Sequence, residues 1–163
     1  MSDIWIVNAS PIIALAKANQ LQLLREFCRE LLLPQAVARE ILAGPPSDPA
    51  RQALEHGWGE VVAPKNIPPE LLEWGLGPGE TSVLAMALER RTAVSVLDDA
   101  AARTCARAMG LEVIGTLGVI LRAKTKGLIS SAADQLKDLR SAGLHLDEEV
   151  ARAALKGIGE TWE

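Results

Sequence analysis

Oxygen-bearing side chains stand at four points of this chain where a turn would present them. Asp98 and Asp99 are adjacent acids directly after the apolar run 92–97. Glu80 follows Gly77-Pro78-Gly79 where a helix opens, and Glu40 lies near the end of the helical stretch 34–43. Asn8-Ala9-Ser10 terminates the apolar run 4–7. Carboxylates grouped at strand ends suit hard divalent cations such as Mg2+ or Mn2+, which take oxygen ligands and water. Each residue also has a simpler reading. Asp99 can cap the helix that follows while Asp98 is solvated. Glu80 can favour the helix dipole, an effect of about 0.5 kcal/mol. Glu40 can be an ordinary solvated glutamate, although an acid near a helix C-terminus opposes the dipole.

The opposite charge is concentrated in one stretch. Residues 100–126 hold Arg103, Arg107, Arg122, Lys124 and Lys126 against Glu112 alone, in a chain of net charge −4. Arg103 and Arg107, at i and i+4, share a helix face just after the paired acids. They read either as a solvated face or as a surface that holds a phosphate backbone beside the carboxylates. A pI near 5.3 excludes a wholly basic duplex-binding surface. Four Trp, one Phe and no Tyr leave little for a stacking platform. Gly115-Thr116-Leu117-Gly118 reads as a tight strand-to-helix turn or as a phosphate cup. Cys28 and Cys105 have no metal-type spacing and read as core. His56, before Gly57, reads as a helix-end residue, and with His145 as the only other histidine there is no zinc constellation.

These residues need elements to hold them. Ile4-Trp5-Ile6-Val7 is rich in β-formers and reads as a buried strand. Four more short strands are expected at 31–33, 61–62, 92–97 and 112–114. Helices are expected at 11–18, with Ser10 as N-cap and Pro11 at the first position, at 21–28, and at 34–43, where Val37, Ile41 and Leu42 fall on one side. Others begin at Pro49 with Asp48 as cap, at 80–90, at 100–109 closed by Gly110, and at 116–126, capped by Thr116. Two final helices are expected at 131–141 and 147–156. Residues 63–79, with four prolines and three glycines, read as a long surface connection with a helical turn at 70–74.

Strands alternating with helices imply a mainly parallel sheet covered on both faces, with strands apolar throughout. Ligands bind beyond the carboxyl ends of such strands, near the switch point of the strand order; Asn8-Ala9-Ser10 and Asp98-Asp99 are the two polar clusters that fall at strand ends. The length of 163 residues, 48% apolar and 23% charged, suits one globular domain. No apolar run nears the roughly 20 residues of a membrane helix. Met1-Ser2-Asp3 opens no secretory pattern. The expectation is a cytoplasmic protein with reduced thiols and no membrane association.

Five segments carry a family resemblance. They are Val7-Asn8-Ala9-Ser10-Pro11-Ile12-Ile13-Ala14-Leu15, Pro34-Gln35-Ala36-Val37-Ala38-Arg39-Glu40, Gly77-Pro78-Gly79-Glu80-Thr81-Ser82-Val83-Leu84-Ala85, Leu97-Asp98-Asp99-Ala100-Ala101-Ala102-Arg103 and Val113-Ile114-Gly115-Thr116-Leu117-Gly118-Val119-Ile120-Leu121. Each motif is weak alone, but in this order, across roughly residues 4–156, the set resembles PIN-domain nucleases, the last segment being typical of one prokaryotic PIN-like branch.

The resemblance implies an α/β fold: a three-layer α/β/α PIN-like domain with a mainly parallel central sheet, spanning 1–163, with the C-terminal helices from about residue 130 packed on it. It also implies an acidic cluster holding Mg2+ or Mn2+ and metal-dependent phosphodiester cleavage, usually of RNA. Carried over by motif, the metal positions are Asn8, Glu40, Glu80 and Asp98, with Asp99 beside them. Glu80, Asp98 and Asp99 are the expected catalytic acids, and Ser10 matches a small hydroxyl residue lining the site. The chain's own pattern adds Arg103, Arg107 and Thr116 as substrate contacts. Many relatives are toxins of toxin–antitoxin pairs and many form dimers, so an antitoxin protein and a homodimer are the expected partners. The homodimer is expected also because Trp5, Trp58, Trp74 and Trp162 cannot all be core.

One departure divides the functional expectation. The family's pattern has an aspartate where this chain has Asn8, which offers an oxygen without a charge. A unit charge pair at about 4 Å and an effective dielectric near 20 is worth ~4 kcal/mol, and desolvation takes back much of it. Asp3 stands too far from the strand's carboxyl end to substitute. The chain is therefore expected to be a metal-dependent ribonuclease or, alternatively, a catalytically weak PIN-fold module binding RNA or a protein partner. A phosphoacceptor signalling domain fits less well, because its paired acids follow the first strand.

Overall fold

Short apolar runs with little alternation build a sheet whose two faces are both covered. A computed structural model describes residues 4–163; Asp3 lies outside them. The strands are β1 (Ile4–Val7), β2 (Glu30–Pro34), β3 (Glu60–Val62), β4 (Val94–Val96) and β5 (Glu112–Ile114), all parallel in the order β3-β2-β1-β4-β5. Trp5, Ile6 and Val7 at the centre of the sheet are buried, as are Leu31, Leu32, Leu33, Val94 and Val96. The outer strands carry the exposed Glu60, Val61 and Glu112, as edge positions tolerate.

The chain moves outward from β1 to β2 and β3, then returns to lay β4 on the other side of β1. The order therefore reverses between β1 and β4. Right-handed crossovers running in opposite directions place their helices on opposite faces. The first two crossovers hold α1 (Ala9–Lys17), a 3-10 segment (Leu21–Phe27), α2 (Gln35–Leu42) and α3 (Pro49–Glu55). The return holds α4 (Pro69–Leu72) and α5 (Pro78–Glu89), and α6 (Ala100–Ala108) joins β4 to β5. α5 touches β1, β2 and β4 and is buried almost all round from Gly79 to Ala87. Trp5 stacks on Phe27, rings 5.4 Å apart and 12° from parallel. α7 (Thr116–Thr125) brings the Arg122 guanidinium to 5.9 Å from the Trp5 ring.

Helix starts follow the capping residues in four cases. Asp48, Asp99, Ser131 and Asp147 each accept a backbone N–H of the following turn, from Ala50, Ala102, Asp134 and Val150. Two expected caps are corrected. Asn8, not Ser10, occupies the cap position of α1, without a side-chain bond. Its own N–H is spent on the Val96 carbonyl, so the sheet runs directly into the helix and Ser10 falls in the first turn. Gly115, not Thr116, caps α7, and Thr116 lies inside the helix with its hydroxyl turned to Asp98. The helix expected at 21–28 is a 3-10 segment. Trp5 and Trp162 are buried and Trp58 is partly buried, its ring 5.7 Å from the Arg25 guanidinium, whereas Trp74 is 40% exposed.

The C-terminal helices α8 (Ala132–Ser141) and α9 (Glu148–Gly157) lie against α7, α8 also touching α1. The chain end fastens onto α8. The Glu160 carboxylate accepts the N–H groups of Ala132 at 2.9 Å and Ala133 at 3.0 Å, takes the Ser131 hydroxyl at 3.3 Å, and pairs with Lys124 at 3.5 Å. Burial alone would raise its pKa. The amides of Ala133 and Ala132, Lys124 and Ser131 together outweigh that and hold the acid below its ordinary 4.5. A depressed folded pKa gives stability that is present above the unfolded value and lost as pH falls through the folded one. Glu160→Gln is expected to cost about 1 kcal/mol at neutral pH, the scale of a lost cap. It should also flatten the acid limb of the stability profile below pH 4.5, measured by urea unfolding across pH.

Candidate active site

The carboxyl ends of β1, β4 and β5 open beside one another, and each sends out one polar residue. β1 is followed at once by Asn8, β4 within two residues by Asp98, and Thr116 stands two residues past β5. Backbone bonds hold these ends in step: Asn8 N–H to the Val96 carbonyl, and Leu97 N–H to the Ile114 carbonyl.

Asp98 is the most constrained acid of the set. Its Oδ1 accepts the Thr116 N–H at 2.7 Å and its Oδ2 accepts the Thr116 hydroxyl at 2.6 Å. Thr116 is fully buried, so its hydroxyl has little choice of partner. Gly115 permits the approach, since a Cβ there would stand 3.1 Å from Asp98 Oδ1 and 3.3 Å from Arg103 Nη1. A carboxylate offers about four acceptor positions, so two bonds to Thr116 leave others for a ligand.

Asn8 is 4% exposed, and its Oδ1 is buried with no hydrogen-bond partner. An orphaned buried oxygen costs about 1–3 kcal/mol unless something satisfies it. Gly79, in the first turn of α5, faces it, and a Cβ there would come within 2.9 Å of that oxygen. Glu80, next along, turns back over Gly77, where a Cβ would meet its Oε2 at 2.7 Å. The Glu80 carboxylate makes no hydrogen bond or ion pair with the described residues. Glu40 is exposed and lines a cavity of about 360 Å3 with Ala36, Arg39, Pro78 and Gly79, so α2 and the start of α5 face the same space.

The remaining expected residues have other surroundings. Asp99 is exposed, and its Oδ2 accepts the Ala102 N–H at 2.9 Å as the cap of α6. Ser10 is exposed on the first turn of α1. Arg103 returns to the Asp98 side, whereas Arg107 stands exposed one turn further along α6. Gly118 serves packing, since a Cβ there would come within 2.5 Å of Ile114 Cγ1. The thiols of Cys28 and Cys105 are both pushed up by burial; Cys105 lies in the core as expected, whereas Cys28 is only partly buried against it. His56 Nδ1 lies 2.7 Å from the Gln52 carbonyl at the end of α3. The Asp98–Thr116 pair and the Asn8–Gly79 contact went unseen in the sequence, where Thr116 read as a cap.

Among the described residues no three His, Cys, Asp or Glu side chains come together closely enough to form a metal cage. The donors nevertheless fit a hard cation in kind, because every one is an oxygen and Asn8 Oδ1 is buried without a partner. Mg2+ commonly keeps several waters and takes only one or two carboxylates from the protein.

A family model described as a PIN domain, DUF3368, matches residues 4–160. The chain therefore belongs to the PIN-domain family, as its five motifs and parallel sheet led us to expect. No curated protein matches it. PIN-domain proteins are in general nucleases that use divalent metal ions. No helix among the described residues is long and apolar enough to cross a membrane.

Thr116→Val removes the hydroxyl bond to Asp98 and keeps the amide bond. It is expected to destabilise the fold by about 1–3 kcal/mol, the scale of a lost bond to a charged group, read as a lower urea midpoint with unchanged slope. An unchanged midpoint would show that the hydroxyl does not hold Asp98.

Proposed function

We propose that this chain is a Mg2+- or Mn2+-dependent endoribonuclease whose site lies at the switch point between β1 and β4. The observation that carries this reading is the buried, unpartnered Oδ1 of Asn8 at the carboxyl end of β1, facing Gly79 and the start of α5. Asn8, Glu40, Glu80 and Asp98 would hold the ion, in part through water. When bound, it supplies an acidified water and stabilises the charge that develops on the phosphoryl oxygens. Asp98 enters already oriented by Thr116, so little side-chain freedom is lost on binding. Glu80 is free to turn from Gly77 toward the ion or to take a proton from water. Asp99 gives one oxygen to α6 and keeps the other for the site. Arg103 offsets the carboxylates where a phosphate must approach them, Arg107 extends that positive surface along α6, and Ser10 offers a hydroxyl at the rim. We further propose that 1–163 acts as one PIN-like unit, dimeric through apolar surface such as that around Trp74 and Leu72, and that it works as the toxin of a toxin–antitoxin pair in the cytoplasm.

A second reading has an observation of its own. Asn8 carries no charge and the acids do not form a closed cage, as suits a catalytically weak module that binds RNA or a protein partner.

Millimolar Mn2+ is expected to raise the melting temperature of the wild type by mass action, and Glu80→Ala or Asp98→Ala should abolish that rise. Cleavage of mixed single-stranded RNA should require Mn2+ or Mg2+ and stop with EDTA. An equal thermal response in both variants would overturn the assignment of the ion's ligands.

Asn8→Asp separates the two readings. Asn and Asp are nearly isosteric, so folding should survive, but the new charge adds repulsion in the ion-free site. The variant is expected to melt lower in EDTA, to gain more from Mn2+ than wild type, and to cleave RNA faster. Unchanged metal response and unchanged cleavage would show that position 8 does not face the ion.

A further inference from the structure

The nuclease reading leaves unused a second space on the far side of Asp98. A cleft of about 410 Å3 opens there, above the roughly 300 Å3 at which small-molecule sites begin. Asp98, Arg103 and Gly115 form one wall; the connection between α8 and α9, with His145, forms the other.

The charged groups facing this cleft are unequally satisfied. Its two acids are engaged, Asp98 by Thr116 and Asp147 by the Val150 N–H that it caps. Its two basic groups are not. Arg103 Nε is buried without a hydrogen-bond partner, and neither the Arg103 guanidinium nor the His145 ring has a hydrogen bond or ion pair among the described residues. A buried donor on a permanent cation is costly to leave unpaired. The cleft thus offers donors without acceptors and calls for an anion. The rest of its lining is largely apolar, including Leu117, Leu144 and Val150, and suits a flat, weakly polar body attached to that anion.

We propose that this cleft is a subsite for one unpaired nucleotide, its phosphate held by Arg103 and its base seated against the apolar wall beside His145. The assignment rests on the nuclease reading for its biological meaning, because the phosphate would adjoin the bond cut at Asp98. A base still paired brings its complement with it and cannot enter a space of this volume, so the subsite takes its nucleotide unpaired. Gly115 belongs to the device, since any side chain there would press on both Asp98 Oδ1 and Arg103 Nη1.

The test is calorimetric titration of the full chain in EDTA at low salt with adenosine and uridine 5′-monophosphates, inorganic phosphate serving as the comparison. At least one nucleotide is expected to bind tenfold or more tightly than phosphate. Arg103→Met should lose that affinity at least tenfold and Arg103→Lys should recover part of it, while His145→Ala, a change at an exposed position that folding tolerates, should weaken it at least threefold. Equal binding of phosphate and nucleotides would overturn the apolar wall's role. Binding unaffected by both Arg103→Met and His145→Ala would overturn the site, and if Arg103→Met does not fold, His145→Ala alone decides. Cleavage is read in parallel: nucleotide binding with this mutational pattern but without metal-dependent cleavage supports the subsite and defeats the nuclease reading. Cleavage without that pattern, or cleavage as fast on duplex as on single-stranded RNA, defeats the subsite alone.

Discussion

Thr116 donates its N–H and its hydroxyl to the two oxygens of Asp98, and this pair of bonds joins the turn after β4 to the turn after β5. The donors come from the buried first turn of α7, so Asp98 is held by elements that cannot move without disturbing the core. The bonds draw Asp98 onto Gly115, which leaves room for Arg103 to lie against the same backbone. The orientation of the acid, the approach of the arginine and the opening beside the α8–α9 connection all follow from that one contact.

The parallel sheet explains why polar groups gather there. Its central strands are buried on both faces, so the strands can be little but apolar, and polar side chains are displaced to the strand ends. The reversal of strand order between β1 and β4 then leaves a gap between diverging crossovers, the usual place for a ligand in such sheets. Asn8 lies beside that gap, a polar residue buried just past the first strand; like the Ser95 hydroxyl within β4, its Oδ1 has no partner.

The acids around that oxygen differ in how firmly they are held. Asp98 is fixed, Asp99 is half committed to its helix, Glu80 rests over Gly77, and Glu40 lies in solvent on α2. Like charges repel when brought together without a cation. A spread set with one neutral member would lower that cost in the free protein and lower the field available to the proposed ion. In the ion site we propose, Asn8 would shift the balance toward ion-free stability at the expense of affinity.

Much of this was legible in the sequence because it is local. Short apolar runs separated by helical stretches determine a parallel α/β fold, since burial and hydrogen-bond geometry leave few other arrangements. Asp48, Asp99, Ser131 and Asp147 announce their helices because capping needs only the next turn of chain. The ordered motifs from Val7 to Leu121 marked the family. What lay outside the sequence's reach depends on contacts between distant segments. Thr116 was read as a cap because its partner is 18 residues away. The unsatisfied oxygen of Asn8 appears only when Gly79 is folded against it, and the fastening of Glu160 onto Ala132 and Ala133 joins residues 27 and 28 apart. Residue types set which groups can bond; the tertiary fold decides which of them meet a partner and which are left without one, because that depends on close packing between segments for which no local pattern codes.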